Sequence, residues 1–373
     1  MTESHRITLD INLNQIAQNI QLMATRVSPA ILMPILKANA YGLGAIPIAQ
    51  FLSQKKIQST GVSNINEASD LTPYFKEIHI LGDVFDHDIK LIQENGWICP
   101  LTSFSRLKAW SDIINRNGKK LKVQLYLDTG MGQLGLKPAE VYEGWEALKN
   151  LEGIELAGLY SHFTGGDFLG DPNSRLQLKM FQDVAAFLLN NGIKFSNTHI
   201  GNSSAINFMP DSYQGFSHVR TGINMYGIQK NIIARENYLK PVLELKSKII
   251  SIKKMTKGDT VGYNRIFRAT GDTVVATIPA GYADGVPFGA KDGGKVLIQD
   301  QVCPILGRVS MDYISVDISH LTNAKIEDPV ILIGKLGNQE ITVEDWAAWK
   351  NSIPYDVICS LNSPRIQKNY ISE

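Results

Sequence analysis

From about residue 13 to residue 230 the chain repeats one unit: a short apolar run, then an amphipathic stretch with helical spacing. The runs at 31–36, 59–62, 78–81, 123–127, 154–160 and 196–200 read as buried strands. The clearest helical stretch is 172–191, where Leu176, Met180, Val184 and Phe187 recur at helical spacing. Asp171 and Pro172 suit its cap and first turn. Alternating strands and helices predict parallel strands, because each crossover needs a helix. Some seven or eight such units in roughly 220 residues predict a (β/α)8 barrel, with an open doubly wound sheet as the alternative. Pro34 lacks a ladder donor and argues against a fully regular first strand.

After about residue 239 the rhythm changes. The segments 242–252, 273–278, 295–298, 314–318 and 330–333 alternate or run short, separated by glycine-bearing turns. This predicts a mainly-β second domain. Segment 7–13 also alternates as a strand and is expected to pair with it. The expected division is therefore residues 13–235 as the (β/α)8 barrel, with 1–12 and 236–373 forming the mainly-β domain.

Of the 373 residues 44% are hydrophobic and 20% charged, an ordinary globular balance. The formal net charge of +1 gives no electrostatic footprint for nucleic acid or an anionic membrane. Cys99, Cys303 and Cys359 are far apart and form no CxxC, so neither a metal site nor a disulfide framework is expected. No apolar run approaches the roughly 20 residues that span a bilayer, and the polar start does not read as a signal peptide. A cytoplasmic protein is expected.

Barrels of this kind place chemistry where strands end and loops begin. Lys37 stands there, directly after an apolar run, among Ala38, Asn39, Ala40, Tyr41 and Gly42. A lysine buried at a barrel mouth loses its charge readily and can form an imine with a carbonyl cofactor. A lone lysine of this kind is more often a solvated strand end. Two further segments add weight. His199-Ile200-Gly201-Asn202-Ser203-Ser204 ends a strand in a glycine and two hydroxyls, suiting a phosphate or an ordinary helix cap. Val219-Arg220-Thr221-Gly222-Ile223 delivers a cation and then a glycine turn, although Arg220 alone could be a salt-bridge partner.

With these segments the chain resembles the alanine racemases, fold-type III enzymes that use pyridoxal phosphate. The matching motifs run in the family's order: KANAYG, DTGMGxLG at 128–135, SHF at 161–163, HIGNSSA at 199–205, VRTGINMYG at 219–227, VGY at 261–263, GYADG at 281–285 and GRVSMD at 307–312. The resemblance implies that Lys37 holds the cofactor as a Schiff base and serves as base on one face of the substrate Cα. It implies that Tyr263 acts on the other face, reaching the site from the second protomer of a homodimer with shared active sites. His162 would stack beside the pyridine ring and Arg220 would hydrogen-bond the ring nitrogen. Tyr41, Asn202, Ser203, Gly222, Ile223 and Tyr355 would belong to the cofactor site, most of them around the phosphate. Gln133, Tyr282, Met311 and Asp312 would line the substrate site, with the Met311 backbone receiving the carboxylate. The implied activity is interconversion of L- and D-alanine, supplying D-alanine for peptidoglycan. A related racemase acting on serine, lysine or arginine, a decarboxylase of the same fold type and a non-catalytic cofactor-binding homologue are the alternatives.

Two positions depart from the family pattern. Many members carry an arginine where Gln133 stands, and a lysine, often carbamylated, where Tyr126 stands. The joint change is coherent, because an orienting carbamate has no purpose without the guanidinium. A neutral amide cannot stabilise a phenolate or carboxylate as a charge would. Arg265, two residues beyond Tyr263, is a candidate substitute cation.

Overall fold

The computed structural model describes residues 5–115, 118–149, 151–165, 171–228 and 239–372, so the expected boundary at 235/236 lies outside the described residues. Two compact units emerge, one of Ala17–Ala40 and Gly44–Leu239, the other of Met1–Ile16, Tyr41–Leu43 and Lys240–Glu373. The chain opens with strand β1 (Ile7–Asn12) and helix Leu13–Val27. Then follow β2 (Ile31–Pro34), β3 (Ser59–Val62), β4 (Glu77–Ile80), β5 (Ile98–Leu101), β6 (Leu121–Tyr126), β7 (Ile154–Tyr160), β8 (Asn197–His199) and β9 (His218–Thr221).

β3 to β8 form one parallel sheet in chain order, and β2 pairs with β9. Isolated contacts join these two pieces: Ile35 bridges Gly61, Thr60 Oγ1 donates to the Pro34 carbonyl at 2.9 Å, and Arg220 N–H donates to the Gly201 carbonyl at 3.1 Å. Eight parallel strands therefore close into a barrel, as the repeated units predict. Pro34 sits at the end of β2, where the missing donor costs least. The next residue, Ile35, supplies the N–H, to Thr221 O at 2.8 Å. Strand β5 was not expected from the sequence: its short run Ile98-Cys99-Pro100-Leu101 carries a proline, yet all four residues are buried.

The helix expected at 172–191 spans Pro172–Asn190, with Asp171 capping the N–H groups of Asn173 and Ser174. Its buried face differs from the expected one. Ser174, Gln177, Leu178, Phe181, Val184 and Leu188 point inward, whereas Leu176 is 55% exposed. The polar Ser174 and Gln177 occupy inward positions because they have partners. Gln177 donates to Thr129 Oγ1 at 3.1 Å and to His162 O at 3.0 Å, and accepts from Thr164 N at 3.0 Å.

Side chains alternate along each strand, so Glu77 and His79, Gln124, His199, and His218 and Arg220 share the interior face. This barrel is thus filled partly by buried polar groups where branched apolar side chains usually dominate. His199 is held well below the ordinary histidine range, first by burial and then by the Arg220 charge. His218 is held down to about 4, first by burial and then by the charge of His79.

The second unit is a ten-stranded sheet. Its strands after β1 are β10 (Leu243–Lys248), β11 (Ser251–Met255), β14 (Thr273–Ile278), β15 (Lys295–Ile298), β16 (Gln301–Leu306), β17 (Ile314–Asp317), β18 (Pro329–Leu336), β19 (Gln339–Ile341) and β20 (Ile366–Ile371). A separate ribbon pairs β12 (Thr260–Val261) with β13 (Phe267–Arg268). β1 lies between β10, antiparallel, and β20, parallel, with Ile7, Leu9 and Ile11 buried. The run at 242–252 is two strands, broken at 249–250. Strands β16 and β20 were not anticipated, because polar residues and Pro304 dilute their alternation. Among the described residues, no helix is long and apolar enough to cross a membrane.

Two measurements check this packing. Phe181→Ala should cost about 3–5 kcal/mol in denaturant unfolding and Leu176→Ala no more than about 0.5 kcal/mol, and equal costs would refute the assigned helix face. The second concerns pH. In the unfolded chain His199 and His218 protonate near 6.5, while the folded chain resists protonation. The unfolded state therefore binds more protons below pH 6.5. Stability should fall on acidification from about pH 6.5 to 4, by up to about 1.4 kcal/mol per pH unit for each histidine. His218→Asn should flatten that slope.

Candidate active site

The barrel unit gathers Lys37, His162, Asn202, Ser203, Gly222 and Ile223 just past the C-terminal ends of β2, β7, β8 and β9, with Arg220 inside β9 one residue before its end. Lys37 opens a turn of unusual hand. Ala38, Asn39, Ala40 and Tyr41 all have φ between 53° and 58°, in the left-handed region. L-residues enter that region at a cost of about 1–2 kcal/mol each. Here the turn is overdetermined. Ala38 N–H donates to Glu67 Oε1 at 2.7 Å, Ala40 N–H to Leu36 O at 2.9 Å and Ala45 N–H to Asn39 Oδ1 at 2.8 Å. Lys37 itself is exposed, whereas the sequence led to a buried lysine. It still lies close enough to His162 to oppose protonation of that ring.

Arg220 is buried with its guanidinium enclosed by acceptors. Nη2 donates to the carbonyls of Ser161 at 2.8 Å and Ile200 at 3.1 Å, and to His162 Nδ1 at 3.0 Å. Nη1 donates to His199 Nδ1. Burial, then Arg220, then Lys37 push His162 down to about 3, so its ring is neutral at physiological pH. Ser203 Oγ accepts from Gly222 N–H at 2.8 Å, which leaves the Ser203 O–H to donate elsewhere. Asn202 caps helix Ser203–Phe208, its side-chain oxygen accepting from Ala205 N–H at 3.0 Å.

The two departures from the family pattern separate. Gln133 is exposed, in the loop after β6 where Asp128 Oδ1 accepts from Gly130 and Gly132 N–H. Tyr126 is buried at the end of β6 and stacks on Tyr160, ring centroids 4.4 Å apart. Burial raises both phenols above their ordinary range, so Tyr126 is a neutral packing group.

In the second unit, Tyr263 stands on the turn between β12 and β13 and is 67% exposed. Val261 and Phe267 anchor the ribbon in an apolar cluster with Val275, Leu306 and Met255. At its tip Asn264 and Arg265 take positive φ, and Arg265 is exposed. With its amide oxygen facing Arg308, Asn264 accepts from that guanidinium at 3.1 and 3.3 Å.

Tyr282, Met311 and Asp312 form a second group. Ala283 N–H donates to Met311 O at 3.1 Å, and a Cβ on Gly281 would lie 2.2 Å from that oxygen, so only glycine permits the approach. Arg365 ties the group together, reaching Asp284 at 2.7 Å and Asp312 at 2.6 Å. Tyr41 and Tyr355 also meet, ring centroids 5.8 Å apart. Arg365 and Arg308 were missed from sequence. A lone arginine carries no signal until its carboxylate or amide partner is located.

Known proteins match this arrangement across its length. The family model for the alanine racemase N-terminal domain matches residues 11–230, and that for the C-terminal domain matches residues 242–370. The chain is 32% identical to alanine racemases of Clostridium tetani and Desulforamulus reducens, covering 98% of this chain and 95% and 99% of theirs. Among solved structures, alanine racemase from Clostridium difficile 630 superposes with a TM-score of 0.90 at 30% identity, covering 100% of this chain and 97% of that one. The Bartonella henselae alanine racemase, described with covalently bound pyridoxal phosphate, gives 0.87 at 29%, with coverage of 99% and 100%. This chain belongs to the alanine racemase family.

Proposed function

We propose that this protein interconverts L- and D-alanine, with pyridoxal phosphate as cofactor and Lys37 and Tyr263 as the two proton-transferring groups. The observation that carries the reading is the gathering of Lys37, His162, Arg220, Ser203 and Gly222 at one barrel mouth, in a chain with both domains of the family. These residues fit the cofactor chemically. A primary amine suits its aldehyde, a neutral imidazole suits its aromatic ring, and a hydroxyl donor at a glycine turn suits its phosphate. Lys37 would hold it covalently through Nζ, with Ser203, Gly222 and Ile223 as phosphate partners and the Tyr41 and Tyr355 hydroxyls as further donors. Asn202 would serve by fixing the start of helix Ser203–Phe208.

When bound, the cofactor supplies the electron sink that makes the substrate Cα proton removable. The chain's own groups then decide the outcome. Racemisation needs a proton taken from one face and returned to the other, so Lys37 Nζ and the Tyr263 hydroxyl must flank Cα. Arg220 keeps its proton, and a ring nitrogen facing it remains unprotonated. His162, neutral beside Arg220, adds no competing acid. The Met311 backbone would receive the substrate carboxylate, Asp312 would fix that segment through Arg365, and Tyr282 would line the entry. Gln133, exposed and uncharged, would leave Tyr263 without the family's usual arginine. Tyr263, on an exposed ribbon, would serve the partner's site in a homodimer. The proposed setting is the cytoplasm, and the proposed role is D-alanine supply for peptidoglycan.

Chiral assay of the purified protein over alanine, serine, lysine and arginine enantiomers tests the substrate, and a preference for another amino acid would replace alanine in the reading. Lys37→Ala should abolish activity and the bound-cofactor absorbance. Tyr263→Phe should lower turnover about 10²–10⁴-fold in both directions, and full activity in that variant would end the two-base assignment. Mixing the two inactive variants under subunit exchange should restore about a quarter of wild-type activity, since half the dimers would carry one intact shared site. No recovery from dimers shown to exchange would rule out shared sites. Gln133→Arg should change the rate or substrate preference, and identical values would make that position silent.

A further inference from the structure

The barrel interior contains a hydrogen-bonded chain that the reaction as described does not use. Arg220 has only donors, so every nitrogen it contacts must offer a lone pair. It contacts Nδ1 of both His162 and His199. Each of these neutral rings must therefore carry its single proton on Nε2. His199 Nε2 lies 3.2 Å from Gln124 Oε1 and donates to it. Rotating that amide would set two donors against each other, so its orientation is fixed. The same oxygen lies 3.2 Å from His79 Nδ1, which must also donate. On the far side, His79 Nε2 lies 2.9 Å from Glu77 Oε1. That hydrogen bond, the largest cause, holds the Glu77 carboxyl below its usual range, and an ionised carboxylate only accepts.

We propose that Glu77, His79 and Gln124 form a positioning relay along the barrel interior, in which His79 carries a proton on both ring nitrogens and Gln124 holds His199, from the side opposite Arg220, in the tautomer and orientation whose Nδ1 lone pair receives the guanidinium. The relay begins at half-buried Glu77, at the start of β4, passes through fully buried His79 and Gln124, and ends at the C-terminal mouth. Other groups face it without breaking it. The His218 ring lies 6.0 Å from His79, the Tyr160 ring lies 5.2 Å from His199, and the Lys122 charge acts on Glu77. A charge on His79 also accounts for part of the depression at His218. The relay links a carboxylate at one end of the barrel to the guanidinium at the other through direct side-chain contacts.

The assignment of Arg220 to the cofactor rests on the proposed function, but the protonation pattern does not. Long-range proton–nitrogen NMR of the full chain with ¹⁵N-labelled histidine should show His79 protonated on both nitrogens, and His162 and His199 on Nε2 alone. Glu77→Gln keeps an amide within reach of His79 and removes the charge, so His79 should drop to one proton. Gln124→Met removes the shared acceptor. With Arg220 alone left to hold it, His199 should gain a detectable Nδ1-protonated fraction, and kcat should fall about tenfold, the factor one net hydrogen bond carries, with KM nearly unchanged. A purely structural role would lower the melting temperature and leave the His199 tautomer and kcat intact. A singly protonated His79 in the native chain, or a Gln124→Met protein with native His199 signals and native kcat, would overturn the relay. The expected histidine pattern in a protein inactive on alanine would uphold the relay and reject the functional reading.

Discussion

A guanidinium buried at the mouth of a barrel cannot shed its charge, and the interior of this protein is organised around that fact. Arg220 requires acceptors on every side, and it finds the carbonyls of Ser161 and Ile200 and the lone pairs of His162 and His199. Left unpaired, a charge at this depth would cost several kcal/mol. Its demand for lone pairs fixes which form each neighbouring ring takes. Burial first, and then the same charge, hold down both imidazoles, so no competing acid stands beside the cation.

The fold was legible where one physical signal dominated. Repeated apolar runs with helical spacing between them specify a parallel barrel, since each crossover must bury a helix face against the sheet. The signal failed where tertiary contacts override local pattern. Strand β5 carries a proline that periodicity discounts, but it is pinned between β4 and β6. On helix Pro172–Asn190 the expected stripe included Leu176, whereas Gln177 turns inward because it finds three polar partners that the sequence does not show.

The candidate site shows the same division. Lys37, Ser203, Arg220 and Tyr263 sit in compact motifs whose order is itself specific, so their sequence neighbours reveal them. Arg365 and Gln124 do not, because each acts through partners more than 40 residues away. Tyr126 illustrates the converse. The sequence identifies the substitution, but only the stacked Tyr160 shows that an aromatic pair now fills the place, with burial keeping both phenols neutral.

The left-handed turn after Lys37 carries a lesson about modularity. Four consecutive residues hold a backbone hand that isolated peptides avoid, and they do so because Glu67 and the Asn39 side chain reach in to brace them. The geometry of the hexapeptide is thus partly encoded some thirty residues downstream. Grafted alone onto another scaffold, the same six letters would relax into an ordinary right-handed turn and aim their amine elsewhere. The transferable unit is the turn together with its brace.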